Sequence, residues 1–331
     1  MKSTIKKINI SAVIPMRNSE TTILHALESL ISQKNEFLKE IIVVDNASTD
    51  ESVSLVRNFA KKSIIPINTI VRRESKTIAA SFNLGVQKSK YPYILLMHSD
   101  SALPTKEELR RLVRPIIEDI STIGTYSTIL HPESLWEKYN FWMKALFARN
   151  VGKLGPGLKG KFDCIQKKAF ESIKGFDEKN FGGNLGGGED ADFHIRLAKK
   201  GKVVLSKAKV IHLHYLGEKY SLMDWLKSRR YLSRTYGRLI RIQGNAMSKN
   251  IFIFLIKPIL AILPFIPGFT ILGIILLMFY SVVITKKMFI TPSTLSNRNI
   301  IILPFINIFL LYYETFWMLE AFLTASKRGK V

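Results

Sequence analysis

The sequence predicts an α/β domain, a mostly parallel sheet flanked by helices, followed by an α-helical membrane region. Three observations carry that expectation. Short apolar runs ending on polar tips alternate with stretches of helical spacing through the N-terminal part of the chain. Those runs are continuously apolar, as strands covered on both faces are in a parallel sheet. From Ile251 onward the chain becomes far more hydrophobic and loses nearly all its charge.

Residues 8–15 read as a first strand ending at Pro15, and a polar loop over residues 16–21 follows. Ile23, Leu24, Leu27, Leu30 and Ile31 then recur at helical spacing within residues 21–33. Residues 40–45 form a second buried strand ending in a carboxylate, Asp45. In the loop over residues 46–51, Ser48, Thr49 or Asp50 can cap a helix running to about Lys61. A third strand is expected over residues 64–71, a third helix over 77–88 and a fourth strand over 91–97, which runs straight into His98-Ser99-Asp100. Strand and helix alternating with short connections is the pattern of an α/β domain.

Ligands of open parallel sheets bind outside the carboxyl ends of the strands. Three such ends deliver Pro15-Met16-Arg17-Asn18, Asp45-Asn46 and His98-Ser99-Asp100 toward one edge. Polar groups converging there say more than any of them singly, since each alone reads as a plain turn. No GxGxxG follows the first strand, which counts against a dinucleotide fold, and no GxxxxGK[ST] is present, which counts against a P-loop NTPase.

In order along the chain, Val13-Ile14-Pro15-Met16-Arg17-Asn18, Ile42 through Asp50, Asn83-Leu84-Gly85, Gly175-Phe176-Asp177-Glu178 and Gly188-Glu189-Asp190-Ala191-Asp192-Phe193 resemble the motifs of inverting family 2 glycosyltransferases with a GT-A fold. The resemblance covers roughly residues 8–215. It implies a nucleotide-diphosphate sugar donor. Asp45 would contact the base, with Pro15, Arg17, Asn18, Lys76 and His98 near the nucleotide. The family's DxD falls on His98-Ser99-Asp100, where His98 replaces the first carboxylate. Asp100 would hold a divalent metal, Mn²⁺ or Mg²⁺, and His98 would hydrogen-bond the ribose in preference to ligating the ion. By the same resemblance His212 approaches the metal and diphosphate, Asp190 is the general base with Glu189 beside it, and Asp192 is structural. For the acids at 189–192, helix capping and dipole compensation are the plain alternative.

Other stretches keep two readings. The glycine-dense residues 181–188 are expected to be mobile or closely packed on a ligand. Residues 203–205 and 210–214 read as two closing strands, with His212 and His214 on one face. Residues 134–149, rich in Trp, Tyr and Phe, read either as an acceptor-side helix or as ordinary core packing.

The chain has 331 residues, with 49 Lys and Arg against 26 Asp and Glu, a formal charge of +23. Such an excess calls for an anionic partner. Residues 221–243 interleave Lys227, Arg229, Arg230, Arg234, Arg238 and Arg241 with Trp225, Leu226, Tyr231 and Tyr236, the composition of a basic amphipathic helix on anionic lipids. No nucleic-acid motif accompanies that run, so a nucleic-acid partner is not expected. Cys164, the single cysteine, leaves no intrachain disulfide and fits a small buried apolar residue. The basic start lacks the apolar core of a signal peptide, which places the N-terminal domain on the cytoplasmic side.

Residues 251–284 contain one charge, Lys257, and residues 300–325 only Glu314 and Glu320. Each block exceeds the roughly 20 residues that cross a bilayer. Pro258, Pro264, Pro267 and Gly268 interrupt the first, which reads as one kinked span or a helical hairpin broken near Pro267-Gly268. The expected organisation is a GT-A domain over 1–220, a basic interfacial helix over 221–250, and two or three hydrophobic helices over 251–331. That organisation predicts a multi-pass protein of the cell membrane with a lipid-linked or envelope-glycan acceptor. The alternatives are a non-catalytic nucleotide-sugar-binding membrane protein and a processive polysaccharide synthase, the latter disfavoured because no QxxRW follows the basic helix.

Overall fold

The computed structural model describes residues 8–34, 36–74, 76–181, 187–213, 220–244 and 248–325. Two compact units emerge. One comprises residues 1–131, 154–178 and 189–215, the other residues 132–153, 179–188 and 216–331. His214 and Gly182 through Gly186 lie outside the described residues.

In the first unit β1 (Ile10–Met16), α1 (Ile23–Ile31), β2 (Leu38–Asp45), α2 (Ser52–Ala60), β3 (Ile67–Val71), α3 (Ile78–Lys88) and β4 (Tyr93–Met97) alternate as expected, their ends shifted by a few residues. β5 (Ser101–Ala102), α4 (Glu108–Glu118) and β6 (Thr122–Leu130) come next. After α5 (Glu133–Trp136) and α6 (Phe141–Phe147), which belong to the second unit, the first resumes with β7 (Leu154–Pro156), β8 (Phe162–Gln166), α7 (Lys167–Ser172), α8 (Glu189–Ala198) and β9 (Lys202–His212).

The strands form one sheet in the order β3-β2-β1-β4-β8-β6-β9-β5, with β7 added beside β6. β1, β2, β3 and β4 are all parallel. β8 reverses the sense, running antiparallel to β4 and β6, and β6 is again parallel to β9. The two expected closing strands are one. At the register shift opposite Tyr126 and Thr128, Ser206 Oγ donates to Tyr126 O at 3.0 Å and accepts from Ala208 N at 3.2 Å, so β9 passes through its irregularity unbroken.

Helices cover both faces, as the unbroken apolar runs require. Along β1, Ile10, Ala12, Ile14 and Met16 pack with Leu27 and Leu30 of α1 and Leu112 of α4. Val13 points the other way, toward Phe82 and Val86 of α3. Gly85 lets α3 approach that closely: a Cβ there would come within 2.2 Å of Val13 Cγ1. Cys164 lies in the first of these cores, fully buried, and burial pushes its thiol up to about 12.

The second unit is helical. α9 (Leu222–Gln243) opens on a capping box in which Ser221 and Asp224 bond each other's backbone N–H. α10 (Ser248–Ile262), α11 (Thr270–Val283), α12 (Pro292–Leu295) and α13 (Leu303–Thr324) follow. The expected acceptor-side helix over 134–149 is two short helices, α5 and α6, the second capped by Asn140, and their aromatics pack with Trp225, Met288 and Leu303 as ordinary core.

The hydrophobic block over 251–284 does not make one span. A 3-10 turn, Leu263–Phe265, and Gly268 at φ +84° divide it into helices of 15 and 14 residues, about 22 Å long each against a ~30 Å hydrocarbon core. α13, with 22 residues, is the one helix among the described residues that is long and apolar enough to cross. Three arginines of α9 contact α13: Arg229 pairs with Glu314 and Arg234 with Glu320 at 3.2 Å, while Arg230 stacks 3.7 Å over Trp317. Gly237 permits the contact, since a Cβ there would meet Met318 O at 2.0 Å. Gly187 and Gly188 pack against Tyr231, Thr235 and Leu239 of α9, so this end of the glycine run is closely packed on protein.

Candidate functional site

Loops at the ends of β1 and β2 are laced together. Asn18 and Ala47 adopt positive φ, +46° and +60°, turns that neither residue adopts without support. Asn18 N donates to Ser48 Oγ at 2.9 Å, and Thr49 N donates to Asn18 Oδ1 at 2.9 Å. Ser19 N donates to Ser52 Oγ at 2.7 Å, and Glu20 N to Asp50 Oδ2 at 3.1 Å. Ser19 Oγ reaches Ser99 Oγ at 2.9 Å, tying in the end of β4.

A cavity of about 390 Å³ opens among these loops, its wall including Pro15, Arg17, Asn18, Asn46, Ser81, His98 and Asp100. Five expected nucleotide or metal residues therefore share one wall. Asp45 is buried, and its carboxylate accepts from Ser48 Oγ at 2.5 Å and from Ser48 N; it is not among the residues of the wall. Its neighbour Asn46 lines the wall instead, clamped by Lys76 N donating to Asn46 Oδ1 at 2.8 Å and Asn46 Nδ2 donating to Lys76 O at 2.7 Å. Lys76 thus contributes its backbone here; its exposed ammonium lies 3.8 Å from Glu74.

Asp100 is engaged through both oxygens. Lys161 Nζ donates to Oδ1 at 2.9 Å, His212 Nε2 lies 2.8 Å from Oδ2, and Lys161 Nζ is 2.7 Å from His212 Nε2. That one nitrogen serves a single contact at a time: protonated it donates to Asp100, unprotonated it accepts from Lys161. His98 Nδ1 stands 3.9 Å from Asp100 Oδ1. Burial works against ionising Asp100, yet Lys161 and His212 beside it hold the carboxyl well below its usual range. Burial first and then the Lys161 charge press His98 well below the usual imidazole range, so it is neutral.

The resemblance implies a divalent cation, and these donors do not fit one as they stand. Asp100 and His212 converge as two ligands would, but they contact each other directly and the Lys161 ammonium contacts both. Among the described residues no three His, Cys, Asp or Glu side chains gather as a metal-holding set. The expected contact of His212 with this corner is nonetheless present, because β5 pairs Ser101 with His212 and Leu213 N donates to Asp100 O at 2.8 Å.

Lys161 and Asp163 escaped the sequence reading. Asp163, the second residue of β8, is buried and accepts backbone N–H bonds from Gly160 at 2.6 Å and from Lys159 and Ser127. Burial pushes its carboxyl up to about 8 against those donors, with the Asp190 charge adding to the rise. The signal present in the sequence was Gly157-Leu158-Lys159-Gly160-Lys161, a lysine-bearing turn just before a strand.

Glu189, Asp190 and Asp192 occupy the first turn of α8, where acids suit the helix dipole. They part there. Asp192, fully buried, accepts from Arg196 Nε at 2.7 Å, and Arg196 Nη1 donates to Ile173 O and Gly175 O, so Asp192 is structural as expected. Burial raises Asp190 above the usual carboxylate range, opposed by the Ala191 N–H and by Lys159 and Lys161. The turn Arg196 holds is also bound by Asn83, whose side chain bonds Phe176 N at 2.9 Å and Phe176 O at 3.0 Å.

Residues 11–172 match the model of glycosyl transferase family 2. A poly(ribitol-phosphate) beta-glucosyltransferase of Bacillus spizizenii is 35% identical over 159 residues, 45% of this chain and 24% of its own length, so the chain spans about a quarter of that relative. The mannosyltransferase PcManGT from Pyrobaculum calidifontis, in complex with GDP-Man and Mn²⁺, matches at TM-score 0.53 and 16% identity over 70% of this chain and 64% of its own. GalNAc-T7 with UDP, GalNAc and Mn²⁺ matches at TM-score 0.51 and 17% identity over 72% of this chain and 48% of its own. The two structures show the fold, a GT-A type sheet flanked by helices; the family model and the relative support a glycosyltransferase.

Proposed function

We propose that this chain, whose residues 11–172 match the model of glycosyl transferase family 2, transfers a sugar with inversion from a nucleotide-diphosphate sugar to a lipid-linked or envelope-glycan acceptor. The observation that carries the reading is the cavity among three strand ends. Pro15, Arg17, Asn18, Asn46 and His98 form a wall for the nucleotide, and Asp100 with its Lys161 and His212 partners stands at the diphosphate end. Asp190 has the properties of a base, a carboxylate whose proton affinity burial has raised and whose charge acts on Lys161.

In the transfer step the acceptor O–H gives its proton to the Asp190 carboxylate while its oxygen forms the new bond to the anomeric carbon. The bond from that carbon to the β-phosphate oxygen breaks, and its electron pair leaves with the nucleoside diphosphate, which gains one negative charge. Attack from the face opposite the leaving group inverts the centre. Glu189 sits beside the base in the same helical turn.

A membrane-bound acceptor is supported by α13 and by the apolar side chains that α11 and α13 leave exposed, among them Ile271, Ile275, Phe279, Phe305 and Phe316. The reading is tested by incubating purified protein with a panel of nucleotide sugars and lipid-linked or glycan acceptors. Release of nucleoside diphosphate that depends on acceptor is expected, and no release from any pair would sink the proposal.

A further inference from the structure

We propose that the Lys161 ammonium, and not a divalent cation, is the positive charge that the leaving diphosphate meets, so that this site binds nucleoside diphosphates without metal. The inference rests on the nucleotide-sugar reading of the cavity and deepens it.

Register places Lys161 there. β8 runs antiparallel to β4 and pairs Phe162 with Met97, which brings the residue before β8 against the residues after β4. The turn is fixed on both sides. Gly160 N–H donates to the buried Asp163 carboxyl at 2.6 Å, and Gly160, at φ +68°, is packed so closely that a Cβ would come within 3.0 Å of Phe82 and 3.2 Å of His98 Nε2. The ammonium at its end has three N–H groups and bonds to Asp100 and His212, leaving a donor for an incoming phosphate oxygen.

The sequence agrees with this geometry. With His98 at the first position of the motif, Asp100 is its sole carboxylate, and that one charge is balanced by one lysine. A divalent ion held by Asp100 and His212 would have either to displace the Lys161 ammonium, which already contacts both, or to sit beside it, where repulsion between like charges is strong. An ammonium in that position does the electrostatic part of the ion's work. As the bond to the anomeric carbon breaks, the charge gained by the β-phosphate oxygens develops beside a preorganised cation.

The experiment measures binding of UDP, GDP, CDP and dTDP to the full chain by calorimetry, in EDTA and in Mn²⁺. At least one nucleotide should bind in EDTA with an affinity within about threefold of that in Mn²⁺, a difference under 1 kcal/mol. Lys161→Met should weaken that binding about tenfold or more in EDTA, and Mn²⁺ should restore part of it by entering the vacated place. Lys161→Arg, which keeps the charge, should retain most of the affinity, and the unaltered chain in EDTA provides an answer that depends on no variant's folding. Binding that requires Mn²⁺ in the unaltered chain, or Lys161→Met binding unchanged in EDTA, would overturn the role of Lys161 while leaving the nucleotide site standing. Binding of no nucleotide in either condition would overturn the nucleotide reading itself, and this inference with it.

Discussion

The two halves of the sheet bring residues to the same place by different means. In the parallel half, each strand runs straight from an apolar stretch into its polar tip, so Arg17, Asn46 and His98 arrive at one edge because β1, β2 and β4 point the same way. In the half that β8 reverses, Lys161 enters ahead of its strand and His212 at the end of another, and they meet Asp100 only through pairings between residues far apart in sequence. The first half supplies the wall of a pocket, Arg17 included, and the second supplies the ammonium and imidazole that engage Asp100. A parallel array advertises a binding edge in sequence, whereas a reversal conceals what it delivers there.

The largest effect expected from testing that division is on Asp190. Asp190→Asn should lower the rate of transfer by about 10²- to 10⁴-fold, the contribution of a general base, and leave nucleoside diphosphate affinity near that of the parent, since the binding wall is untouched. Turnover and calorimetry on the same preparation check it. A variant that turns over at the parental rate would remove Asp190 from the chemistry.

What the sequence disclosed follows the same line. Asn83 and Gly175 were legible as motif residues, and the structure supplies the reason: the Asn83 amide holds the backbone on both sides of Phe176, and Gly175 at φ +64° leaves no room for a Cβ within 2.4 Å of Asn83 Oδ1. The bond that Asp45 makes to Ser48 was not legible, because a carboxylate at a strand end looks the same in sequence whether or not it holds its own turn. Lys161 stayed hidden among 49 cationic residues, because nothing local marks the one that register will place beside Asp100. The break in the apolar block over 251–284 was legible in Pro264, Pro267 and Gly268, and the backbone turns at residues 263–268.

Glycines offer a smaller contrast between the halves. Gly85 stands where α3 meets β1, and a Cβ would strike Val13 Cγ1 at 2.2 Å; Gly85→Ala should cost about 1–3 kcal/mol by overpacking. Gly124 in β6 has 3.4 Å to Leu197 Cδ2, an ordinary contact, so Gly124→Ala should stay within about 0.5 kcal/mol of the parent. Chemical denaturation of both variants measures the difference. Equal costs would mean that α3 can slide on β1, against the close packing described for that face.

Smaller still is the hydroxyl bridge between the two parallel strand ends. Ser99→Ala removes the 2.9 Å contact with Ser19 Oγ in a partly exposed setting and should cost about 0.5–1.5 kcal/mol of stability. A loss well above that would show that the lacing of the loops, and not the core beneath them, sets the stability of the parallel half.

The effect most specific to the reversed half, and one that grows as the pH rises, belongs to Asp163. Its folded carboxyl titrates at about 8, raised by burial, whereas in the unfolded chain it ionises near 3.9. The folded state therefore holds a proton that the unfolded state releases across the interval from about 4 to about 8. Stability from this group is complete below the lower value, declines as pH rises, and is lost once the pH has passed the upper one. Asp163→Asn is close in shape, keeps an oxygen to accept the Gly160 N–H, and does not titrate. It should change stability little at the acid end and lessen the decline between about pH 4 and 8, measured by denaturation of parent and variant at a series of pH values. Parallel profiles would mean that Asp163 is ionised in the fold, held by its three backbone donors, and that a fixed negative charge lies under the Lys161 turn.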